Sequence, residues 1–489
     1  MSSALEGIYN PGVVDPGVPV QTPTAPFWQS SPHARASHQS PWPGEGEGEV
    51  ADVIIIGSGI TGMTLIRTLL ALQPTLNIVL VEARSLCSGA TGRNGGHIKT
   101  MTFAMWEERK RSFGIAEAVR ISEFEFSHLQ TMADAIAQDG LTAHCDLQFT
   151  EGIEAYYSLK SFEDGLAALR DMQNYVPRLA AMHRVYAGEG LAQLQKTVGL
   201  ASSSSSSQCV GAIGVPAASL WPYKWVTGVL GPLIDSRKIN VQTQTTVQQV
   251  LEEPGDDFAI VQTDRGELKG RHIVHATNAW IGHLVPELQP YISPVRGNVV
   301  HYGPVTSTAE GSRSPGVSAF GLNPEYSYWL RYGDKDYDYI IQRKDGGVVI
   351  GRANTGRIAT ADDSTTDLAP MVHLRGVGDE VVSSPVLGSS AYITHGWSGI
   401  LAFSQDGMPF AGRLLGRGRE HQWVCGGYHA TGMIKAFRTA QFVAGLIAGG
   451  TVRDTLGETP RSMLLTEQRF RALRKSLELG QPVLNSPKL

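Results

Sequence analysis

The pattern of apolar and polar positions predicts a strand–helix–strand unit near the start of the folded chain. Residues 52–56 (DVIII) are a short run of β-branched residues bounded by glycine, which is typical of a buried parallel strand. Between residues 59 and 70 apolar side chains recur every three or four positions, which predicts a helix. Residues 78–81 (IVLV) predict a second buried strand that ends at Glu82.

Further along the chain the pattern changes to strand-like alternation with a few helices. Strands of an antiparallel or mixed sheet are predicted at 147–158, 298–303, 326–332 and 338–352, and a β-meander at 245–276. Helices are predicted at 432–448 and 462–479. Residues 1–49 are rich in Pro, Ser and Gly, so we expect an extended arm that Phe27, Trp28 and Trp42 fix to the body.

The size and composition of the chain fit a folded protein of two domains. Its 489 residues are too many for one small core, and its 42% apolar content is ordinary. The net charge of -5 argues against nucleic acid or an anionic membrane as partner. The four cysteines form no CxxC pair and no zinc-like spacing, so we expect neither a disulfide framework nor a metal site. No apolar stretch is long enough to span a membrane.

A G-x-G-x-x-G motif follows the first strand and opens the first helix. It consists of Gly57, Ser58, Gly59, Ile60, Thr61 and Gly62. Gly57 allows a tight turn, Gly59 lets a pyrophosphate approach the backbone, and Gly62 lets the helix pack on the strands. The helix N-terminus offers N–H groups to phosphates, and Glu82 is placed to accept hydrogen bonds from a ribose. The motif predicts a dinucleotide site, with a glycine-rich turn without ligand as the alternative.

The residues beyond Glu82 favour FAD over NAD. Residues 88–97 (SGATGRNGGH) combine four glycines with small polar residues. Such a bare backbone can pass against a flat ring and donate N–H groups to it, whereas NAD-binding folds usually continue into a helix at this point.

Together these motifs resemble the D-amino-acid-oxidase-like superfamily of FAD oxidoreductases, nearest to gamma-glutamylputrescine oxidase and its fungal relatives. The matching segments are GSGITG (57–62), Glu82, SGATGRNGGH (88–97), LWPYK (220–224), ATNAW (276–280), PVRGN (294–298), GWSGI (396–400), DGMPFAG (406–412) and GGYHATGM (426–433). The resemblance implies an α/β fold, in which a Rossmann-like FAD-binding domain of the glutathione-reductase type is interleaved with a mixed β-sheet substrate domain.

The implied division of the chain alternates between these two domains. After the arm (1–49), the FAD-binding domain takes 50–140, 215–293 and 393–450, the substrate domain takes 141–214 and 294–392, and 451–489 form a C-terminal helix and tail.

The resemblance also implies which residues hold FAD. The motif at 57–62 would hold the pyrophosphate, Glu82 the adenosine ribose, the turn at 89–97 the isoalloxazine, and the backbone of Val247 the adenine. In full, the implied cofactor-binding residues are Gly57, Ser58, Gly59, Ile60, Thr61, Gly62, Glu82, Ala83, Arg84, Gly89, Ala90, Thr91, Arg93, Asn94, Gly95, Gly96, His97, Val247, Ala276, Thr277, Asn278, Trp397, Gly399, Gly427, Tyr428, Thr431, Gly432 and Met433.

The predicted helix at 432–448 is expected to influence the charge of the flavin ring. By the resemblance, Gly432 and Met433 begin it and point its N-terminus at the ring carbonyl C2=O, where the reduced ring carries negative charge. A plain core helix is the alternative.

This chain departs from the family pattern at two places that are expected to lie near the flavin ring. Relatives commonly have the order Ser-Gly-His-Gly, whereas this chain has His429-Ala430-Thr431-Gly432. Sarcosine-oxidase relatives link flavin through a Cys in the segment matching 396–406, which holds no Cys here. We therefore expect non-covalent FAD, with a link through His97 as the alternative.

Candidate catalytic residues are His97, Arg296 and His429, and candidate substrate-binding residues are Lys99, Arg296, Tyr328, Trp329 and His429. Arg296 offers a fork for a substrate carboxylate, or else an ion pair that fixes its strand. Tyr328 and Trp329 alternate along a strand, so one faces the flavin and the other faces away. His97 and Lys99 follow the flavin turn, where relatives place basic residues near N5, and supporting roles are the alternative.

The leading functional hypothesis is an FAD-dependent oxidase of amines or amino acids that uses O2. The alternatives are a tailoring oxidase or dehydrogenase acting on a larger nitrogen-bearing secondary metabolite, and a non-catalytic FAD-binding protein. We expect a small-molecule substrate and a cytoplasmic location. The C-terminal Pro487-Lys488-Leu489 resembles a degraded peroxisomal signal, but we favour a frayed tail, because the residue before Lys488 is proline and not a small polar one.

Overall fold

The computed structural model describes residues 13–43, 50–101, 103–201, 208–304, 320–333, 336–353, 358–381, 392–452 and 457–479. The C-terminal tripeptide at 487–489 lies outside the described residues. Among the residues described, no helix is both long and apolar enough to cross a membrane.

The strands of the described chain, in order, are β1 (Val50–Ile56), β2 (Ile78–Val81), β3 (His97–Ile98), β4 (Gln148–Tyr156), β5 (Arg184–Tyr186), β6 (Gly211–Ser219), β7 (Asn240–Gln242), β8 (Val247–Leu251), β9 (Ala259–Thr263), β10 (Gly266–His275), β11 (Ile292–Tyr302), β12 (Tyr326–Arg331), β13 (Tyr337–Gln342), β14 (Val348–Ala353), β15 (Ile393–Ser404), β16 (Phe410–Arg413) and β17 (Gln422–Gly426). The α-helices are α1 (Ile60–Leu72), α2 (Trp106–Phe113), α3 (Ile115–Gln138), α4 (Leu159–Met172), α5 (Pro177–Ala180), α6 (Gly188–Val198), α7 (Pro222–Asp235), α8 (Ile281–Leu284), α9 (Leu368–Val381), α10 (Ala436–Ile447) and α11 (Glu467–Glu478).

The first sheet is mainly parallel and has β1 near its centre. Its order is β16-β17-β10-β1-β2-β7, and β8, β9 and β10 form an antiparallel meander on it. Strand β1 is buried because its β-branched side chains pack on both faces, with α1, α7 and α10 covering one of them. The predicted strands, the first helix and the meander are confirmed.

The second sheet is mixed and shapes the other side of the molecule. Its order is β15-β11-β14-β13-β12-β4-β6-β3, with β5 paired to β6, and β12 runs parallel to β4. Alternate residues of β11 enter different cores, since Val299 packs toward the first sheet and Val300 toward α9.

The segment predicted as a strand at 338–352 is a hairpin of β13 and β14. A turn separates the two strands, where Gly346 has a φ of +86° and its N–H donates to Arg343 O. Continuous alternation on both sides of this turn made the two strands look like one.

The predicted helix at 432–448 begins later than expected. A 3₁₀ turn spans Gly432–Ile434, Lys435 leaves helical geometry, and α10 starts only at Ala436. At the C-terminal end, a 3₁₀ turn at Arg461–Met463 precedes α11, whose first turn is capped by the side chain of Thr466 accepting from Arg469 N.

The described part of the N-terminal arm, residues 13–43, packs on the body of the protein. Trp28 is fully buried, its indole N–H donates to Asn94 O at 2.5 Å, and its carbonyl accepts from the Trp221 indole at 2.6 Å. Phe27 stacks on His301, and Trp42 lies under Arg265.

The two sheets alternate along the chain, close to the predicted domain boundaries. One difference is β15, which belongs to the second sheet although residues from 393 onward were predicted in the FAD-binding domain. By sheet membership that boundary follows Ser404. The division into domains itself stays a prediction.

Candidate active site

A long cavity lies between the two sheets and brings most of the predicted site residues together. Those that line it are Gly57, Ser58, Gly59, Ile60, Thr61, Glu82, Ala83, Arg84, Gly89, Ala90, Thr91, Arg93, Asn94, Gly95, His97, Lys99, Val247, Ala276, Thr277, Asn278, Trp329, Gly399, Tyr428, His429, Thr431, Gly432 and Met433. They come from distant parts of the sequence that meet at the carboxyl ends of the parallel strands.

The turn between β1 and α1 is built on two close backbone approaches. Gly57 has a φ of +108°, and a Cβ there would lie 2.8 Å from Ala276 O. A Cβ on Gly62 would lie 2.0 Å from Gly57 O, so only glycine lets α1 pack this closely on the turn. Gly62 does not line the cavity, but it sets the position of the helix that does.

Glu82 lies at the end of β2 and organises the same turn. Its Oε2 accepts from the backbone N–H and the hydroxyl of Ser58 at 3.0 and 2.6 Å, and its Oε1 accepts from Arg84 N at 3.0 Å. A carboxylate can accept about four hydrogen bonds, so these three leave capacity for a ligand hydroxyl.

Arg84 is one of the implied cofactor-binding residues, and its guanidinium has a protein partner. Its Nη1 contacts both oxygens of the fully buried Asp363 at 3.0 and 3.1 Å. Arg84 also lies over the Trp280 ring. Sequence reasoning missed Asp363, which follows Arg84 by 279 positions.

The glycine-rich turn at 88–97 is held by Arg93 from within. Its guanidinium donates to Ser88 O at 2.8 Å, to Ser398 O at 2.7 Å and to Thr24 O at 2.6 Å. Trp397 does not line the cavity; its indole donates to Arg93 O at 2.8 Å. The turn is therefore rigid before any ligand binds.

Gly96 and Gly427 also do not line the cavity, but they contact residues close to it. Gly96 has a φ of +76°, and a Cβ there would meet Leu220 O at 2.6 Å. Gly427 donates its N–H to Asn278 Oδ1 at 3.1 Å, which ties the loop after β17 to the loop after β10.

A buried ion cluster lies behind the second-sheet wall of the cavity. Glu154 on β4 accepts from Lys99 Nζ at 2.6 Å and from Arg331 Nε at 2.9 Å, and all three side chains are nearly inaccessible. Burial alone would raise the pKa of Glu154, but Arg331 and Lys99 outweigh it and hold that pKa at about 2. Sequence reasoning missed Glu154 and Arg331.

Lys99 and His97 are both perturbed by burial. Burial lowers the pKa of Lys99 to about 8 despite the opposing effect of Glu154, so Lys99 loses its proton within an accessible pH range. Burial and the nearby Lys99 lower the pKa of His97 to about 3, so His97 is neutral at ordinary pH. The Lys99 ammonium lies 4.0 Å from the centre of the Trp329 ring.

Trp329 and Tyr328 occupy opposite faces of β12, as the alternation predicted. Trp329 lines the cavity, whereas Tyr328 is buried on the α9 side, where its hydroxyl donates to Val198 O at 3.0 Å. Tyr328 is therefore removed as a candidate for substrate binding.

Arg296 also does not lie where a catalytic or substrate-binding residue has to lie. Its Nε and Nη2 donate to Asp367 Oδ1 at 3.0 and 2.7 Å, and it does not line the cavity. Residues 295, 297 and 299 of β11 share the other face, so strand parity directs Arg296 away from the site. The alternative left open by the sequence, an ion pair that fixes the strand, is what the structure shows.

The loop carrying His429 has a strained backbone. His429 and Ala430 both have positive φ, +49° and +58°, an arrangement that non-glycine residues rarely adopt. His429 Nδ1 lies 2.9 Å from Ser404 O, and Ala430 N donates to Ala402 O at 2.9 Å. These bonds to β15 fix the loop at the cavity wall.

A second buried cluster, which sequence reasoning also missed, lies beside the 3₁₀ turn at Gly432–Ile434. Glu125 on α3 accepts from Arg109 Nη2 at 2.6 Å, and Lys435 Nζ lies 3.6 Å from the same oxygen. Burial lowers the pKa of Lys435 to about 8. Arg109 and Lys435 line the cavity, as do the carboxylates Glu108 and Asp406, so this end carries charges of both signs.

Comparison with known proteins identifies the family. The model of the DAO family, FAD dependent oxidoreductase, matches residues 52–446, and the chain belongs to this family. It is 24% identical over 436 residues to the probable oxidoreductase OrdL of Rhizobium meliloti (strain 1021), covering 88% of this chain and 91% of that protein. It is 27% identical over 213 residues to a glycine oxidase of Pseudomonas aeruginosa, covering 43% and 50%.

Solved structures show the same fold. Glycine oxidase from Geobacillus kaustophilus superposes with a TM-score of 0.66 at 16% identity, covering 86% of this chain and 99% of that one. L-proline dehydrogenase from P. horikoshii gives 0.63 at 18% identity, covering 88% and 99%. The predicted superfamily, fold class and FAD cofactor are confirmed, and the nearer branch of gamma-glutamylputrescine oxidase stays a prediction.

The residues of the cavity fit FAD. Positions 57 and 59 present backbone without side chains at the start of α1, where a diphosphate is best stabilised. Thr277 Oγ1 and His97 Nε2, which both line the cavity, are buried polar atoms without a hydrogen-bond partner among the described residues. Buried polar atoms are rarely left unpaired, so these two fit contacts with a polar ligand.

We predict that Glu154→Gln destabilises the protein by about 3–5 kcal/mol, because it leaves two buried cations without their anion. The matched control is Glu151→Gln on the same strand, whose partner Arg184 is exposed, and it should cost under about 1 kcal/mol. Urea unfolding monitored by circular dichroism measures both. Equal losses for the two variants would show that burial of the pair does not matter.

Proposed function

We propose that this enzyme oxidises the C–N bond of an amine or amino acid to an imine. The bound FAD supplies the hydride acceptor, its N5 atom. The proposal rests mainly on the part of the cavity wall that would face the flavin ring, which we call the ring-end wall. There the neutral His97, Trp329 and the cationic Lys99 lie together. Glycine oxidase and iminodiacetate oxidase, whose folds this chain shares, act on small amino compounds by their names, which supports the same substrate class.

The charge at the ring-end wall favours binding of an amine in its neutral form, which is the form that reacts. Lys99 and Arg331 carry two positive charges and Glu154 one negative charge, so the cluster is positive below a pH of about 8. A protonated amine is repelled there, whereas a neutral amine and a substrate carboxylate are not. The enzyme thereby binds the nitrogen with the lone pair that C–N oxidation requires.

We propose that FAD lies along the cavity with its adenosine end at Glu82 and its flavin ring at Gly432. The turn at 57–61 holds the diphosphate, Glu82 holds the ribose, and residues 93–97 face the ring. The buried ammonium of Lys435, next to the 3₁₀ turn at Gly432–Ile434, offers positive charge to the ring carbonyl.

We propose O2 as the electron acceptor. Reduction of O2 accumulates negative charge, and the buried ammonium of Lys99 at the cavity wall stabilises such charge.

The substrate class is tested by mixing the purified enzyme anaerobically with a panel of amines, N-methyl amines, polyamines and amino acids. We expect bleaching of the flavin absorbance by at least one small amino compound, and formation of hydrogen peroxide when air is admitted. Bleaching only by large nitrogen-bearing metabolites would support a tailoring enzyme, and no bleaching by any member would contradict the proposal.

Glu82→Ala should raise the dissociation constant of FAD at least about tenfold, because a charged acceptor for a ribose hydroxyl contributes about 1.5–3 kcal/mol. Flavin fluorescence titration of the apoprotein measures it. The exposed Glu253→Ala serves as the control and should leave the constant unchanged. Equal affinities for the wild type and Glu82→Ala would remove Glu82 from the cofactor site.

Lys99 predicts a pH dependence of the oxidative half-reaction. Its pKa of about 8 means that the charge is present below that pH and is lost as the pH rises through it. The reoxidation rate of the reduced enzyme should fall across this range in the wild type. Lys99→Met should be slower by about tenfold or more and flat across the range, whereas the exposed Lys238→Met should behave as the wild type. Stopped-flow mixing of reduced enzyme with O2 measures this, and a steep profile in Lys99→Met would refute the assignment.

A further inference from the structure

We infer that the N-terminal arm forms part of the FAD site: the segment 15–19 closes the cavity over the adenosine half of the cofactor. The inference rests on the FAD dependence of the family and on the proposed course of FAD along the cavity, and not on the proposed oxidation of amines. The arm precedes the residues 52–446 that the family model matches.

The first observation is that the arm lines the same cavity as the glycine-rich motif. Gly17, Val18 and Pro19 are cavity residues, together with Val247 and Trp280. Val247 begins β8, and the short 3₁₀ helix ending at Trp280 follows the loop after β10. The arm therefore supplies a wall at the end of the cavity where Glu82 and Val247 lie. This is the end at which we place the adenosine half of FAD.

The second observation is that this wall is apolar and incompletely covered. Val18 is 46% exposed, and Pro19 carries no N–H donor. The indole N–H of Trp280 is buried without a hydrogen-bond partner among the described residues. A planar heterocycle with ring nitrogens matches this pair of features, since it covers the apolar side chains and accepts from a donor.

The third observation is a set of contacts that hold the segment in place. Asp15 Oδ1 lies 3.0 Å from Nδ1 of His283, itself a cavity residue, and accepts from Gly17 N at 2.9 Å. Gly17 has a φ of +62°, a backbone conformation that glycine adopts without strain. Asp15 thus ties the arm to α8 on the body.

Further along, the arm is anchored to the turn that faces the ring. Val20 O accepts from Arg84 Nη1 at 3.4 Å, Thr24 N donates to Asp363 O at 2.8 Å, and Thr24 O accepts from Arg93. The arm therefore follows the cavity from its adenosine end to the turn at 88–97, and the contacts beyond residue 20 persist when the first residues are removed.

The test uses a variant that lacks residues 1–19 and keeps the anchors from Val20 onward. We expect its apoprotein to unfold at the temperature of the wild type. Its dissociation constant for FAD, measured by flavin fluorescence titration, should rise about tenfold or more, because an ordered wall of the site is lost.

A pair of point variants provides the matched control. Asp15→Ala and Asp235→Ala each remove a carboxylate that ties the arm to the body, but Asp235 pairs with Arg35 away from the cavity. Asp15→Ala should speed FAD dissociation about threefold or more, in keeping with the loss of one exposed ion pair, and Asp235→Ala should not change it.

Wild-type FAD affinity in the truncated protein overturns the inference. It is also overturned if both point variants release FAD equally fast, because the arm would then act only on the stability of the fold. Neither result bears on amine oxidation, since no step of the test measures turnover.

Discussion

The close approach of α1 to the end of β1 is the constraint on which the site depends. Gly57 and Gly62 leave no room for side chains against Ala276 O and against the turn itself, so two chain segments and a helix N-terminus converge within a few ångströms. This convergence creates a bare backbone surface beside Glu82. Every other wall of the cavity is arranged around it, and the family's use of FAD follows from that surface.

A single buried carboxylate couples the remaining walls. Asp363 pairs with Arg84 and lies 3.5 Å from Arg93, and its backbone binds Thr24 of the arm. Removing one member of such a buried group costs about 3–5 kcal/mol, because the others stay desolvated and unpaired. The arm, the ring-facing turn and β15 therefore form one rigid frame, which suits a reaction in which positioning supplies most of the rate enhancement.

The sequence predicted those parts of the site that depend on local spacing. Gly57, Gly59, Gly62 and Glu82 form a pattern whose geometry is set within one strand–helix–strand unit, and the structure contains that unit. Strand parity also predicted that Tyr328 and Trp329 face opposite ways, but the choice of face depends on α9, far away in sequence. Arg296 was misassigned because its partner Asp367 lies 71 residues away. Long-range ion pairs leave no periodic signal, and for the same reason Glu154 and Asp363 were missed.

We propose that FAD lies extended along this cavity, with its diphosphate at the start of α1. The sharpest test is a crystal structure of the purified, FAD-loaded protein. We expect diphosphate oxygens within hydrogen-bond distance of the backbone N–H groups at 57–61, and the flavin ring between residues 93–97 and the turn at 432–434. A flavin bound elsewhere, or a diphosphate that makes no contact with this turn, would contradict it.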